Sequence, residues 1–243
     1  HPLGKCFAHP SLLAYLITAK YADGLPLYRL EGILKREGHG VSRSVMANWM
    51  IRLEDVLRPL INLIREEQNG YRYLQADETR IQVLKEDGKS AQSQKWMWVT
   101  RGGPPDKPSV LFAYDPSRAG EVAERLLDGF TGTLQIDGYS GYAAVCAQQG
   151  IRRIGCWDHA RRKFLEASRA GPTGKGKGKA KGKVAKADVA LSHIRALYAI
   201  ERKIADYSPE DRYRARQALS MPKLEAFKAW LTKSQSRVLT GSL

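Results

Sequence analysis

The hydrophobic pattern changes its period at Asn69-Gly70, and this change constrains the fold more than any other feature of the chain. Before it, apolar residues such as Met46, Trp49 and Leu53 recur every three or four positions, which is typical of a helix with one buried face. After it, residues 71–84 place every second side chain on the same face, which is typical of an extended strand. The sequence therefore predicts a helical region followed by a sheet.

The helical region contains a short break between two predicted helices. One helix follows the turn that ends at Pro26, and the next has Ser42 as its candidate N-cap. A helix, a glycine-containing turn at residues 38–40 and a second helix together have the shape of a helix-turn-helix. Basic residues on the exposed faces, among them Arg43 and Arg52, could lie along DNA phosphates. An ordinary helical hairpin with solvated basic residues fits the pattern equally well.

The second region alternates between strands and helices. Strands are expected at 71–84, 95–100 and 109–114, followed by a helix, a strand ending near Asp137, a short helix, a strand and a basic helix. This order predicts an α/β fold with an antiparallel start and a mixed sheet. The ribonuclease-H-like fold is one of several that are compatible with it.

Charge favours a polyanionic partner. The chain has 40 Lys and Arg against 25 Asp and Glu, a net charge of +15. Six lysines in the Gly/Lys run at 174–186 account for less than half of this excess, so the rest of the chain is basic as well. Nucleic acid is favoured over a membrane surface because no amphipathic basic helix dominates. A merely soluble basic protein is the simpler alternative.

The cysteines exclude a disulfide scaffold. Cys6, Cys146 and Cys156 form no CxxC pair, which suits a reducing cytosol. Cys146, Cys156 and His159 are poorly spaced for zinc, and a fourth ligand is lacking. No apolar run reaches the length of a membrane span, and the first residues do not resemble a signal peptide, so a soluble protein is expected. The absence of an initial Met suggests a piece of a longer protein.

Two aspartates occupy positions where a carboxylate is costly. Asp77 lies in the middle of a predicted strand, and Asp137 ends another, before Gly138. Buried carboxylates need a partner, and two close together need a cation such as Mg²⁺, which prefers oxygen ligands. A pair of such ions can activate water or a DNA 3′-hydroxyl. The alternatives are that Asp77 faces solvent on an edge strand and that Asp137-Gly138 is only a turn.

Several blocks, in order along nearly the whole chain, resemble the bacterial insertion-sequence-sixty-six transposases. Gln75-Ala76-Asp77-Glu78-Thr79 is similar to the first catalytic aspartate motif of that family, and residues 134–142, which contain Asp137, are similar to the second. The other matching blocks are residues 20–29, 41–44, 48–49, 156–164 and 196–201.

The resemblance implies a DDE transposase with a ribonuclease-H-like core. Such an enzyme cleaves transposon-end DNA and joins the freed 3′-hydroxyl to target DNA, without a covalent enzyme–DNA intermediate. Asp77 and Asp137 would be the first two ligands of Mg²⁺ or Mn²⁺, and Glu78 receives no ligand role because it points to the other face of its strand. The protein is expected to act as a homo-oligomer on DNA in the bacterial cytoplasm, associated with the nucleoid.

A basic segment in the fourth matching block adds candidate phosphate contacts. His159, Arg161, Arg162 and Lys163 could place positive charge against DNA near the active site. The simpler interpretation, a basic amphipathic helix whose Phe164 packs on the sheet, is compatible with this one.

The chain departs from the family in its third acid. The family has a glutamate on a late helix, in the context Asn-Asn-x-x-Glu-Arg, and this chain contains no such motif. Glu201 and Glu225 lie before the expected place, so neither is assigned. Smaller departures are Gly24, where the family usually has His, and Arg80, where it often has Pro. The chain alone is therefore expected to bind metal weakly and to cleave DNA poorly or not at all.

Four regions are expected from these observations. They are a helix-turn-helix-like DNA-binding region at 1–68, a ribonuclease-H-like core at 69–168, a flexible Gly/Lys-rich linker at 169–187 and a helical region at 188–243. Two alternative functions stay open: a non-catalytic, DNA-binding remnant of a transposase, and a ribonuclease-H-like nuclease that hydrolyses without strand transfer.

Overall fold

The computed structural model describes residues 1–170 and 185–236, which form two compact units. The first comprises His1–Leu134 and Ser140–Arg153, and the second comprises Gln135–Tyr139 together with the described residues from Ile154 onward. Most of the expected linker at 169–187 lies outside the described residues. The expected domain boundaries at 68, 168 and 187 stay predictions.

The first unit begins with three helices around a shared apolar core. Helix α1 (Pro10–Ile17) continues into a π-helical turn, α2 (Leu27–Arg36) follows, and α3 (Arg43–Asn69) is a single helix of 27 residues. Their spacing places apolar side chains on facing sides, as predicted. The most deeply buried core residues are Leu13, Leu16, Ala19, Leu30, Met46 and Trp49.

The helix starts follow the predicted cap chemistry in part. Ser42 caps α3 as expected, since its hydroxyl accepts a hydrogen bond from the backbone N–H of Val45 at 3.4 Å. The expected cap at Ser11 is wrong, because the ring of His9 accepts from the Ser11 N–H and Pro10 takes the first helical position. Pro26 precedes α2 as its N-cap residue instead of occupying the first turn.

The sheet has five strands in the order β3-β2-β1-β4-β5. They are β1 (Tyr73–Ile81), β2 (Lys95–Gly102), β3 (Ser109–Asp115), β4 (Gly132–Ile136) and β5 (Ile151–Gly155). The first three form the predicted antiparallel meander, in which Asp77 is opposite Val99. Strand β1 is three residues shorter than expected at its end, and it is central.

Strands β4 and β5 run parallel to β1. The backbone N–H of Thr133 donates to the carbonyl of Arg72 at 2.9 Å, so the first residues of β4 lie beside the first residues of β1. The N–H of Gly132 donates to Gly150 at 2.9 Å, which sets the start of β5 beside the start of β4. An antiparallel start and a parallel continuation make the sheet mixed, as the sequence predicted.

Two short helices of the first unit cover apolar side chains of the sheet. Helix α4 (Gly120–Leu126) approaches a helical turn, Ser140–Tyr142, which continues into α5 (Ala143–Cys146). The approach is close, because a Cβ on Gly120 would lie 2.9 Å from the carbonyl oxygen of Gly141. Their buried residues include Val122, Leu126, Tyr142 and Val145.

The second unit is mainly helical. Helices α6 (Trp157–Ala170), α7 (Lys186–Lys203), α8 (Pro209–Ala215) and α9 (Met221–Gln235) correspond to predicted helices, with a π-helical turn between α8 and α9. Its core consists of Ala190, Ile194 and Phe227, and partly buried aromatic residues pack against them. In the two described ranges, no helix has the length and hydropathy needed to span a bilayer.

Candidate active site and its surroundings

Asp77 lies at the middle of the central strand β1. It is half-buried and projects from the face opposite to the buried side chains of Leu74, Ala76 and Glu78. Its Oδ1 accepts a hydrogen bond from the Glu78 N–H at 3.0 Å. The alternative that placed Asp77 on an edge strand is therefore wrong, because β1 has a neighbour on each side.

Asp137 directly follows β4 and belongs to the second unit. It is half-buried, and its Oδ1 accepts a hydrogen bond from the Tyr139 N–H at 2.8 Å. An aspartate that caps the N–H two residues later initiates a turn, so the turn interpretation describes the local backbone correctly. The same hydrogen bond orients the carboxylate, so the turn does not conflict with a role for Asp137 as a ligand.

The donor chemistry of these two aspartates fits a divalent cation in kind but not in number. Mg²⁺ in nucleotide-processing enzymes is commonly held by one or two carboxylates together with water and substrate phosphate oxygens. Within the described residues, no group of three or more His, Cys, Asp or Glu side chains is arranged to hold a metal. This agrees with a chain that supplies two ligands and lacks the third acid of the family.

Glu78 is the charged residue that the sequence argument did not use, and it is the more deeply buried of the two adjacent acids. Its side chain is 1% exposed. The Nε and one terminal nitrogen of Arg118 donate to its Oε1 at 2.8 and 2.6 Å, and the hydroxyl of Tyr142 donates to its Oε2 at 2.8 Å. Both oxygens are therefore satisfied, which a buried carboxylate requires.

Aromatic side chains complete this network. The guanidinium of Arg118 lies 4.6 Å from the ring centroid of Trp96, a cation–π arrangement. Trp98 meets Tyr142 edge to face at 5.9 Å between centroids. Tyr142 follows Asp137 by five residues and Glu78 follows Asp77 directly. The hydrogen bond between Tyr142 and Glu78 therefore joins the segments that come directly after the two aspartates.

The start of α6 carries a second group of interacting side chains. Burial tends to raise the pKa of the Cys156 thiol, but hydrogen bonds with the backbone and ring of His159 bring that pKa below its usual value. The hydroxyl of Tyr198 donates to Asp158. Burial, reinforced by this hydrogen bond to a carboxylate, raises the pKa of Tyr198 to about 12.

An open pocket of about 620 Å³ lies within the second unit, with Cys156, Trp157, Tyr198 and Arg216 among its lining residues. Glu201 also lines it and is bound by Arg216, whose Nε and terminal nitrogen donate to the two carboxylate oxygens at 2.9 and 2.6 Å. Arg216 lowers the pKa of the Glu201 carboxyl. Glu201 is thus committed to an ion pair, in agreement with its exclusion as the third acid.

The two candidate DNA contacts of the helix-turn-helix-like region differ in their surroundings. Arg43 is exposed at the first position of α3, and its backbone N–H donates to Glu31 at 3.2 Å. The guanidinium of Arg52 donates to the carbonyl of Gly4 and so ties α3 to the N-terminal segment. Arg43 is therefore better placed than Arg52 to contact phosphate.

The four candidate phosphate contacts of α6 do not form one flat surface. Arg161, Arg162 and Lys163 are exposed and consecutive, so they are distributed over about 200° of the helix circumference. His159 is half-buried and interacts with Cys156. The three exposed cations can reach separate phosphates, whereas His159 serves the local structure at the start of the helix.

Comparison with known proteins gives the relationship of the chain. Residues 5–243 match the model of the transposase IS66 family. Three proteins of Sinorhizobium fredii (strain NBRC 101917 / NGR234) are similar to it. The uncharacterized protein y4qI is 39% identical over 64% of the chain and 31% of its own length. The uncharacterized proteins y4jD and y4hP are 31% and 30% identical, over 97% and 100% of the chain and 46% and 45% of their own lengths.

The chain spans less than half the length of each of these relatives. The family match nevertheless covers nearly every residue and includes both aspartate motifs. The resemblance inferred from the sequence is therefore confirmed, and the chain belongs to the IS66 family of transposases.

Proposed function

We propose that the chain carries the first two acids of a DDE transposase with a ribonuclease-H-like core, acting on DNA in the bacterial cytoplasm. The observation that carries the proposal is the position of the two motif aspartates on the sheet. Asp77 lies on the central strand of a sheet ordered 3-2-1-4-5, and Asp137 directly follows β4, the strand next to β1. Three antiparallel strands followed by parallel strands and helices support the proposed fold.

In this proposal Asp77 and Asp137 hold a divalent cation, Mg²⁺ or Mn²⁺. When bound, such an ion would activate the attacking hydroxyl and stabilise the leaving oxygen of the phosphodiester. The hydrogen bonds from the Glu78 and Tyr139 N–H groups keep the two carboxylates oriented. Arg161, Arg162 and Lys163 bind phosphates of transposon-end or target DNA and hold the strand in place.

The activity test uses a complete protein that contains this chain, because the relatives are more than twice as long as the region they share with it. Purified protein is incubated with labelled transposon-end DNA, a target plasmid and Mg²⁺. We expect Asp77→Asn and Asp137→Asn each to reduce both cleavage and joining by at least about 100-fold, because each removes an anionic ligand. The matched control is Asp87→Asn, which changes an exposed aspartate in the turn after β1.

The same assay separates the two alternatives. A ribonuclease-H-like nuclease would give nicked DNA but no joined product. A non-catalytic remnant would bind DNA in a salt-dependent manner that is indifferent to Mg²⁺ and to both substitutions. Equal cleavage by the wild type and by the double variant would refute both catalytic functions.

DNA binding by α6 has a separate test. We expect the Arg161→Ala, Arg162→Ala and Lys163→Ala triple variant to bind duplex DNA more weakly, with a flatter dependence of log Kd on log salt by up to about three unit slopes. A matched triple replacement of exposed cations outside α6, Lys85, Lys89 and Lys107, should change the slope less. An unchanged slope in the α6 variant would remove this helix from the DNA interface.

A further inference from the structure

Helix α3 carries an unpartnered apolar face in its second half. We define the α3 stripe as Val56, Leu57, Leu60, Ile61 and Leu63, whose exposed fractions are 44%, 39%, 54%, 39% and 61%. At 100° per residue these five side chains fall within an arc of about 160°. Leu53, at the N-terminal end of the same arc, is buried in the core of the N-terminal helices, so the stripe continues a buried face into solvent.

The rest of the helix surface is polar. Glu54, Arg58 and Arg65 lie on one side of the stripe, and Asp55 and Asn62 lie on the opposite face. Monomeric proteins rarely leave a contiguous apolar patch of more than a few hundred Å² exposed. Five adjacent aliphatic side chains at these exposures approach that size, and a regular boundary of charges is typical of a helix that packs against a partner.

We propose that the α3 stripe is a homodimer interface, in which it packs antiparallel against the same stripe of a second copy of this chain. A two-fold axis makes such an interface self-complementary, and Leu60, the middle residue of the stripe, then lies nearest the axis. The proposal does not depend on the proposed catalytic function. It gives a specific surface to the homo-oligomer that the family resemblance implies.

Charge complementarity favours a second copy in this orientation. Glu54 and Arg65 are eleven residues apart, close to three helical turns, so they lie on the same flank at opposite ends of the stripe. Reversing one helix about Leu60 places Glu54 of each copy beside Arg65 of the other, which makes two opposite-charge pairs. A parallel arrangement would not form these pairs. Such charges at the rim select orientation more than they add affinity.

The size of the stripe predicts a reversible dimer. One helical face of five aliphatic residues per copy is at the small end of specific interfaces, so we expect a dissociation constant on the order of 1–50 µM. The measurement is sedimentation equilibrium of the chain without DNA, over loading concentrations of about 1–100 µM that bracket this constant.

Substitutions on the stripe should abolish the dimer. We expect Leu60→Glu and Leu63→Glu each to give a monomer throughout this concentration range, because each buries a charge at the interface. Both sites are exposed in the single chain, so the far-ultraviolet circular dichroism should not change. The matched control is Ile51→Glu, on the same helix and 69% exposed but outside the stripe, which should dimerise like the wild type.

A charge exchange tests the orientation and the identity of the partner. Glu54→Arg and Arg65→Glu should each weaken the dimer by about 5- to 10-fold through two like-charge contacts, and the double variant should recover wild-type affinity. Leu60→Cys, with the three native cysteines replaced by Ser, should form a disulfide-linked dimer on mild oxidation, whereas Ile51→Cys should not. A wild type that stays monomeric, or a dimer that survives both stripe substitutions, would overturn the proposal.

Discussion

The buried pair of Glu78 and Arg118 permits a quantitative test of the network beside Asp77. The perturbation is Arg118→Met, which keeps an unbranched apolar stem over Trp96 but removes the guanidinium. The Glu78 carboxylate, 1% exposed, then keeps the hydroxyl of Tyr142 but loses both hydrogen bonds to its Oε1. A matched control is Arg101→Met, on the same sheet, where an exposed arginine donates to Gln75 at 3.0 Å.

The size of the effect follows from the burial of the two partners. Breaking a buried ion pair by removing one partner costs about 3–5 kcal/mol. Because the Arg118 side chain is 36% exposed and Tyr142 still donates, we expect about 2–3 kcal/mol for Arg118→Met. Glu78→Gln should cost about 1–2 kcal/mol. The double variant should cost at least about 1 kcal/mol less than the sum, since no buried charge is then left unpaired.

The assay is equilibrium unfolding in urea, followed by tryptophan fluorescence, because Trp96 and Trp98 both contact members of the network. With a slope of about 2 kcal/mol per molar urea, Arg118→Met should lower the midpoint by about 1–1.5 M, and Arg101→Met by less than about 0.3 M. Additive effects of Glu78→Gln and Arg118→Met, or a loss below about 1 kcal/mol for Arg118→Met, would refute the coupling.

Three further predictions concern single side chains. Because the pKa of Tyr198 is raised to about 12, its neutral form stabilises the fold below pH 10 and this contribution is lost as pH rises towards 12; Tyr198→Phe should remove the last part of the absorbance titration at high pH. Cys156, whose thiol pKa is lowered, should be alkylated by iodoacetamide at pH 8 faster than Cys146, whose thiol pKa is raised by burial, and mass spectrometry showing the reverse order would contradict this. Gly132→Ala should lower the free energy of unfolding by about 2–3 kcal/mol, since φ is +141° and a Cβ would lie 2.7 Å from the carbonyl oxygen of Arg72, whereas Gly40→Ala, with open space around it, should change it by less than about 0.5 kcal/mol in the same urea titration.

The order of helices and strands was predictable because it depends on local periodicity. The change at Asn69-Gly70 separates α3 from β1, and the alternation in residues 71–84 places Asp77 and Glu78 on opposite faces as expected. The confirmed cap at Ser42 rests on a hydrogen bond that spans three residues. The wrong cap at Ser11 has a local reason too, because His9 supplies an acceptor that the usual cap preferences rank low.

The partners of the buried acid were not predictable from the sequence. Glu78 meets Arg118 and Tyr142, which are 40 and 64 residues away, and no spacing rule connects them. One signal was present: Glu78 stands at the third buried position of the alternation Leu74, Ala76, Glu78, where an uncompensated charge is costly. The position of Arg52 was missed for a similar reason, because its acceptor, the carbonyl of Gly4, lies 48 residues earlier.

The continuity of α3 sets the helical phase between the two ends of the first unit. At one end Trp49 belongs to the N-terminal core, and at the other end Gln68 bonds Thr100 of β2 and Ser109 of β3 at 2.8 and 2.9 Å. Inserting one residue after Pro59 would rotate the N-terminal helices by about 100° about the α3 axis relative to the sheet. Inserting seven would restore their orientation to within about 20°. Changes in the length of this helix should therefore be tolerated in steps of whole heptads.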